Sequence, residues 1–308
     1  MAIPAGLLSV ADLTAGEIRQ LIVRAASLKQ GEAPTSLKGK AVALVFEKPS
    51  LRTRVSFDVA MWQLGGHAVY LSPDEVGLGR RESVADAART LSRFVDGIVA
   101  RTFSHRTLIE LAGHSRVPVI NGLSDHEHPC QALGDLLTIQ EKRGTLKGLR
   151  LAYVGDGNNV ARSLLLAASL AGMDFSIASP PGYGLDDATL RQAGDIAAGS
   201  GARISAVAGC RDAVKGAAVV YTDVWVSMGQ ESEAETRRRD FAGYQVDAPL
   251  LSLAAEDAIL MHPLPAHHGE EVAEGLLDHP RSVVFDQAEN RLHIQKAILL
   301  KVLGGLAD

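Results

Sequence analysis

The chain has 308 residues, 46% hydrophobic and 22% charged, with a formal net charge of -5. That is enough for two ordinary globular domains, each with its own core. The acidic balance argues against a nucleic-acid partner, no apolar run is long enough to span a bilayer, and two cysteines, Cys130 and Cys210, exclude a disulfide framework. The opening Met1-Ala2-Ile3-Pro4 lacks the basic and then apolar stretch of a signal peptide, so a reducing, cytoplasmic setting is expected.

In chain order, short β-rich runs predict strands at 41–46, 68–71, 97–100 and 117–120, with helices at 52–64, 83–94 and 106–113. The pattern restarts at Leu149. Strands are predicted at 150–154, 174–178, 218–222, 258–262 and 282–285, with helices at 161–170, 187–198 and 288–303. Such alternation predicts an α/β chain of two doubly wound parallel-sheet domains joined by interdomain helices. The glycines and lysines of 141–148 mark the hinge, which divides the chain into 1–142 and 143–287, with a C-terminal helix at 288–308 returning to the first domain. In open α/β sheets ligands sit beyond the carboxyl ends of the strands, and the strongest motifs fall there.

Phe46-Glu47-Lys48-Pro49-Ser50-Leu51-Arg52-Thr53-Arg54 lies between a buried strand and a helix. Ser50 is a good N-cap, and the first turn offers unpaired N–H groups, the positive end of a helix dipole, two hydroxyls and two arginines. That combination suits a phosphate, although a capped helix with surface arginines reads the same way in outline. No Gly-x-x-x-x-Gly-Lys-Ser/Thr accompanies it, so a nucleotide P-loop is not supported. In His126-Glu127-His128-Pro129-Cys130-Gln131, Pro129 starts a helix and puts His128 and Gln131 on one face, fit for the carbonyl and amide of a small substrate. A zinc site finds no further ligand at standard spacing.

Gly155-Asp156-Gly157-Asn158-Asn159 begins like a dinucleotide fingerprint but lacks the third glycine; its asparagines suit an amino acid. Asp223, after a strand, is placed to pair with an ammonium, and Ser227-Met228-Gly229 follows with polar edges and no cation. The run Arg237-Arg238-Arg239 reads as a solvated helix face. In His262-Pro263-Leu264-Pro265, two prolines fix a loop and Leu264-Pro265 is a candidate cis bond. His267 and His268 lack the helix partner of a zinc protease, and no Gly-x-Ser-x-Gly elbow marks a serine hydrolase. Together these motifs point to an anion and an amino acid held in a cleft between two α/β units.

Taken in order along nearly the whole chain, these motifs resemble the carbamoyltransferases, and among them those acting on ornithine. The resemblance implies an N-terminal carbamoyl-phosphate domain, an amino-acid domain after it and assembly as a homotrimer or a multiple of trimers. It implies neither metal nor cofactor, with carbamoyl phosphate and ornithine as small-molecule partners. By the same resemblance Ser50, Leu51, Arg52, Thr53, Arg101, His128, Gln131 and Arg291 bind carbamoyl phosphate. Asn159, Asp223, Ser227, Met228, Pro263 and Leu264 bind ornithine, and Arg52, Arg101, His128 and Asp223 carry catalysis. Three departures stand out. Leu51 replaces a threonine, Gly77 stands near where a phosphate-binding glutamine is usual, and Pro263 replaces a cysteine. His-Pro-Leu-Pro is also the pattern of the aspartate enzymes, but Ser227-Met228-Gly229 offers no cation for a second carboxylate. Putrescine or an acylated ornithine as substrate, an inactive binding homologue and a dehydrogenase are the competing readings.

Overall fold

The chain is described from a computed structural model covering residues 6–32, 36–227 and 229–304. They form two units, one running to Leu137 and resuming at Glu289, the other spanning Thr138–Ala288. Met228 lies outside the described residues.

In the first unit, α1 (Ala15–Lys29) precedes β1 (Ala41–Phe46). Then come α2 (Leu51–Gln63), β2 (His67–Leu71), the short α3 (Pro73–Val76), α4 (Val84–Leu91), β3 (Gly97–Arg101), α5 (His105–His114), β4 (Val119–Leu123) and α6 (Pro129–Arg143), which belongs to the second unit from Thr138 on. The Ala-Val-Ala-Leu-Val-Phe of β1 is apolar on both faces, so it is stable only where helices cover both sides. The sheet is all parallel in the order β2-β1-β3-β4. The chain leaves β1 in opposite directions for β2 and β3, and this reversal opens a crevice at the carboxyl ends of β1 and β3. Register sets Phe46 opposite Arg101 at that edge.

The second unit runs β5 (Arg150–Val154), α7 (Asn159–Ala171), β6 (Asp174–Ala178), α8 (Asp187–Ser200), β7 (Ile204–Val207), α9 (Cys210–Val214) and β8 (Val219–Thr222). It continues through α10 (Ala234–Asp240), α11 (Ala248–Leu251), β9 (Ile259–Met261) and the start of α12 (Val284–Val302), which belongs to the first unit from Glu289 on. The order β7-β6-β5-β8-β9, again all parallel, makes the crevice between β5 and β8. Gly157 is required by packing: a Cβ there would meet the Gly184 carbonyl carbon and Leu185 nitrogen at 2.4 Å. The glycine pattern that looks like a dinucleotide turn therefore serves a backbone crossing.

Several elements differ from the sequence expectations. Residues 282–285 form no strand: Ser282 makes an isolated bridge to Leu260, and Val284 already begins α12. The β-branched pair Val283-Val284 suggests a strand, but Val284, Gln287, Arg291 and Ile294 are all buried at helical spacing. Conversely, β7 escapes a periodicity search because it is a half-exposed edge strand. Among the described residues no helix is long and apolar enough to cross a membrane.

Candidate active site

The crevice of the first sheet collects positive charge. Ser50 caps α2, its hydroxyl accepting from the Thr53 N–H at 3.3 Å and donating to the Thr53 hydroxyl at 3.1 Å. Arg291, from α12, donates to that same Thr53 hydroxyl at 2.7 Å. Arg101 ends β3 and is 6% exposed. Burial first, then Arg291 and Arg52, bring its guanidinium down to about 10, so its strongest electrostatic neighbours are cations like itself. Arg52 is likewise lowered by burial. A buried cluster of like charges costs energy until an anion enters, so the arrangement is built for one carrying more than a single negative charge.

His128 sits just before α6 and is held well below its ordinary pKa by burial, then by Arg291 and Arg101. It is therefore a neutral imidazole at neutral pH. Gln131 is 1% exposed; its Nε2 donates to Asp135 at 2.9 Å, which leaves Oε1 buried without a hydrogen-bond partner. The Arg101 Nε is also buried and unpartnered. A small ligand with both donors and acceptors answers these atoms. The motif does not converge as a whole, however. Leu51 is exposed, so it offers this site its backbone at most, and Arg54 lies over the Tyr70 ring at 3.8 Å. Cys130 is buried and its thiol is pushed up to about 12 by burial, which makes it inert to alkylation in the folded protein.

In the second unit Asp223 follows β8 and is 7% exposed. Burial raises its carboxyl pKa against the opposing pull of His262, Asn158 and the Val224 N–H. The Asn158 amide donates to Asp223 at 2.8 Å while its oxygen caps α7, accepting from Val160 and Ala161. Asn158 thus belongs to the scaffold and Asn159, the first residue of α7, lies beside it, half-buried. Ser227 closes its own loop, with its N–H on the Gln230 side chain at 3.0 Å.

After β9, the His262 N–H donates to Gln287 at 2.9 Å, and the Leu264 N–H donates to His262 Nδ1 at 2.9 Å. Nδ1 therefore accepts, and Nε2 carries the proton toward Glu271 at 3.0 Å. Pro263 is buried, Leu264 has φ 55°, and the Leu264-Pro265 bond is cis. Because β8 and β9 are neighbours, Asp223 and His262 leave the sheet side by side. The sequence expectations name His262 and Glu271 at most within a motif and read Asn158 with Asn159 as a partner for an amino acid, whereas its side chain is committed to Asp223 and the α7 cap. Glu271 sits nine residues beyond His262, and the loop that turns it back leaves no periodic trace. Among the described residues, His267, Glu270 and Glu271 bring three possible metal donors within 4.8 Å, but Arg238 holds Glu270 and His262 holds Glu271.

One expectation is overturned. Arg238 and Arg239 are exposed as the solvated face requires, but Arg237 is 6% exposed and pairs with Asp156 at 2.9 Å. Three consecutive arginines on a helix point in three directions, about 100° apart, so one of them faces inward.

The crevice of the first unit is lined by Arg101 and Arg291, and that of the second by Asp156 and Asp223, each at the carboxyl edge of a parallel sheet. The sequence matches "Aspartate/ornithine carbamoyltransferase, carbamoyl-P binding domain" over residues 6–141 and "Aspartate/ornithine carbamoyltransferase, Asp/Orn binding domain" over residues 147–302. The chain belongs to this family and is a carbamoyltransferase. It is 52% identical to ornithine carbamoyltransferase of Anoxybacillus flavithermus, over 96% of both chains. It is 51% identical to the anabolic ornithine carbamoyltransferase of Pyrococcus furiosus, over 97% of this chain and 96% of that one. The solved structure of ornithine carbamoyltransferase from Pyrococcus furiosus superposes with a TM-score of 0.95 at 50% identity, covering 100% of each chain.

Proposed function

We propose that the protein transfers the carbamoyl group of carbamoyl phosphate to the side-chain amine of ornithine, yielding citrulline and phosphate for arginine biosynthesis. Residues 1–142 with the returning C-terminal helix bind carbamoyl phosphate, and 143–287 bind ornithine. The observation that carries the choice of acceptor is the buried Asp223 beside a loop without a cationic side chain, since Arg237 is committed to Asp156. An ammonium-bearing tail is complementary to that surroundings, whereas a second carboxylate would be buried unpaired. The relatives named above act on ornithine, which supports the same choice.

In this reading the Ser50–Thr53 turn, Arg52 and Arg291 hold the phosphate, with Leu51 contributing only its backbone N–H. Arg101 and the neutral His128 donate to the carbonyl oxygen as it becomes an oxyanion, and Gln131 accepts from the carbamoyl NH2. Asn159, Ser227 and Met228 hold the α-amino acid end. The side-chain amine has an ordinary pKa of about 10.4 and must lose a proton before it attacks. Asp223, its pKa raised by burial, is suited to take part in that loss, and the Pro263 and Leu264 carbonyls orient the amine. The amine nitrogen adds to the carbonyl carbon, the carbon–oxygen bond to phosphate breaks, and the electron pair leaves with phosphate.

The test is product formation with ornithine beside aspartate, putrescine and acetylornithine. Ornithine is expected to exceed each rival by orders of magnitude in kcat/KM, and Asp223→Asn to weaken ornithine far more than carbamoyl phosphate. Comparable turnover of aspartate overturns the acceptor, and binding of carbamoyl phosphate with no turnover of any amine marks a non-catalytic homologue. We also read the protein as a cytoplasmic homotrimer. Leu51, Val55 and Trp62 are exposed apolar residues at near-helical spacing on α2, and they support a face covered by a second copy.

A further inference from the structure

We infer that Arg237 is a positioning residue for the amino-acid side of the reaction: it ties three loops together and neutralises Asp156, leaving Asp223 as the carboxylate that meets the substrate amine. The inference rests on the ornithine reading above. The Arg237 Nη1 donates to Asp156 at 2.9 Å and to the Trp225 carbonyl at 3.0 Å, and its Nε donates to Glu233 at 3.0 Å. The guanidinium also lies 5.0 Å from the Tyr183 ring centroid. Asp156 belongs to the turn after β5, Trp225 to the loop after β8, and Tyr183 to the loop between β6 and α8, whose carbonyl accepts from the Gly157 N–H at 2.7 Å. One side chain therefore fixes the walls on both sides of the β5/β8 crevice. Phe241 packs against both Tyr183 and Trp225, with ring centroids 4.8 and 5.8 Å away, so α10 braces the same loops through apolar contact. Only a planar fork with several donors reaches these three acceptors and a ring face at once, which a lysine does not do.

The charge argument is independent of the bracing. Asp156 and Asp223 leave neighbouring strands, and the charge of Asp223 disfavours ionisation of Asp156. The groups acting on Asp156 are Arg237, Asp223 and Glu233; burial outweighs Arg237 and leaves the carboxyl at about 6. With Arg237 in place, Asp156 is spoken for. Without it, Asp156 either competes with Asp223 for the substrate ammonium or takes up a proton at higher pH than before.

The experiment is steady-state kinetics of the full chain and of Arg237→Gln, Arg237→Lys and Asp156→Asn/Arg237→Gln across the neutral pH range. The fold is checked by carbamoyl-phosphate binding to each variant. Arg237→Gln is expected to raise the ornithine KM at least about tenfold, as for other broken buried pairs, with carbamoyl-phosphate KM and kcat within about twofold. The acid limb of kcat/KM for ornithine should move to higher pH, and the double variant, which pairs two neutral amides, should recover most of the loss. An unchanged ornithine KM, an equal loss for both substrates, or an unmoved acid limb overturns the inference. If Arg237→Gln does not fold, Arg237→Lys, which keeps the charge and loses the fork, decides the positioning role: a raised ornithine KM with an unmoved acid limb supports it, and an ornithine KM unchanged from wild type overturns it. A wild-type protein that makes no citrulline fails the ornithine reading itself, a distinct outcome visible before any variant is made.

Discussion

Arg291 and Arg52 act on Arg101 at the mouth of the first sheet, and burial lowers the pKa values of both Arg52 and Arg101. Arg52 does no work for the helix that carries it, since Ser50 caps α2 and Phe57, Ala60 and Met61 bury its other face. Arg52→Ala is therefore expected to leave thermal stability within about 0.5 kcal/mol, as for other changes away from the core. It should lower kcat/KM for carbamoyl phosphate by roughly a hundredfold or more, the cost of a charged contact in a desolvated pocket. Near-normal turnover at low carbamoyl phosphate removes Arg52 from the phosphate site. Residue types with strong chemistry were legible in this way from motif and strand order. Glu271 and Arg237 were not, because their roles depend on which way a loop or helix turns.

The Ser50 cap of α2 was legible because capping is a local exchange of hydrogen bonds, whereas the caps of α1 and α8 were not read. Thr14 and Glu17 close a capping box on α1, and Asp186 caps α8, accepting from the Thr189 N–H at 2.8 Å. Partial burial acts to raise the Asp186 carboxyl, but the Thr189 N–H, Arg162 and the Thr189 hydroxyl together hold it at about 2. A carboxyl held below its unfolded value stabilises the fold above that value and loses its effect as pH falls through the folded one. Asp186→Ala is expected to cost about 1 kcal/mol at neutral pH, the usual worth of an N-cap. In thermal melts the gap between variant and wild type should close as pH drops from 3.8 toward 2. A gap that persists unchanged at the acid end means the cap contributes by packing alone. Strand ends were legible where a short run was mostly apolar, as in β1, β5 and β6. At residues 282–285 two adjacent β-branched residues outweighed a weaker helical period, and the reading failed.

At the scale of the molecule, the exposed stripe of α2 carries the proposal of self-assembly. Trp62 is 73% exposed, so Trp62→Glu costs the isolated chain little, whereas burying that charge in an interface between copies is expensive. Light scattering is expected to give the mass of three chains for the wild type and a smaller species for Val55→Glu/Trp62→Glu. An unchanged mass for the variant moves the interface elsewhere.

The sequence by itself determined the alternation of strand and helix, the parallel sheets that follow from it, the capped turn at Ser50 and the family resemblance. Each of these depends on neighbours a few residues apart, whose spacing is written in the chain. Tertiary structure decided what spacing does not contain. It brought Arg291 to Thr53 across 238 positions, set Asn158 on Asp223 across 65, and turned Arg237 inward onto Asp156 across 81. The physical reason is that a buried charge takes its meaning from whatever else is buried with it, and the order of strands in the sheet, not the order of residues in the chain, chooses that company.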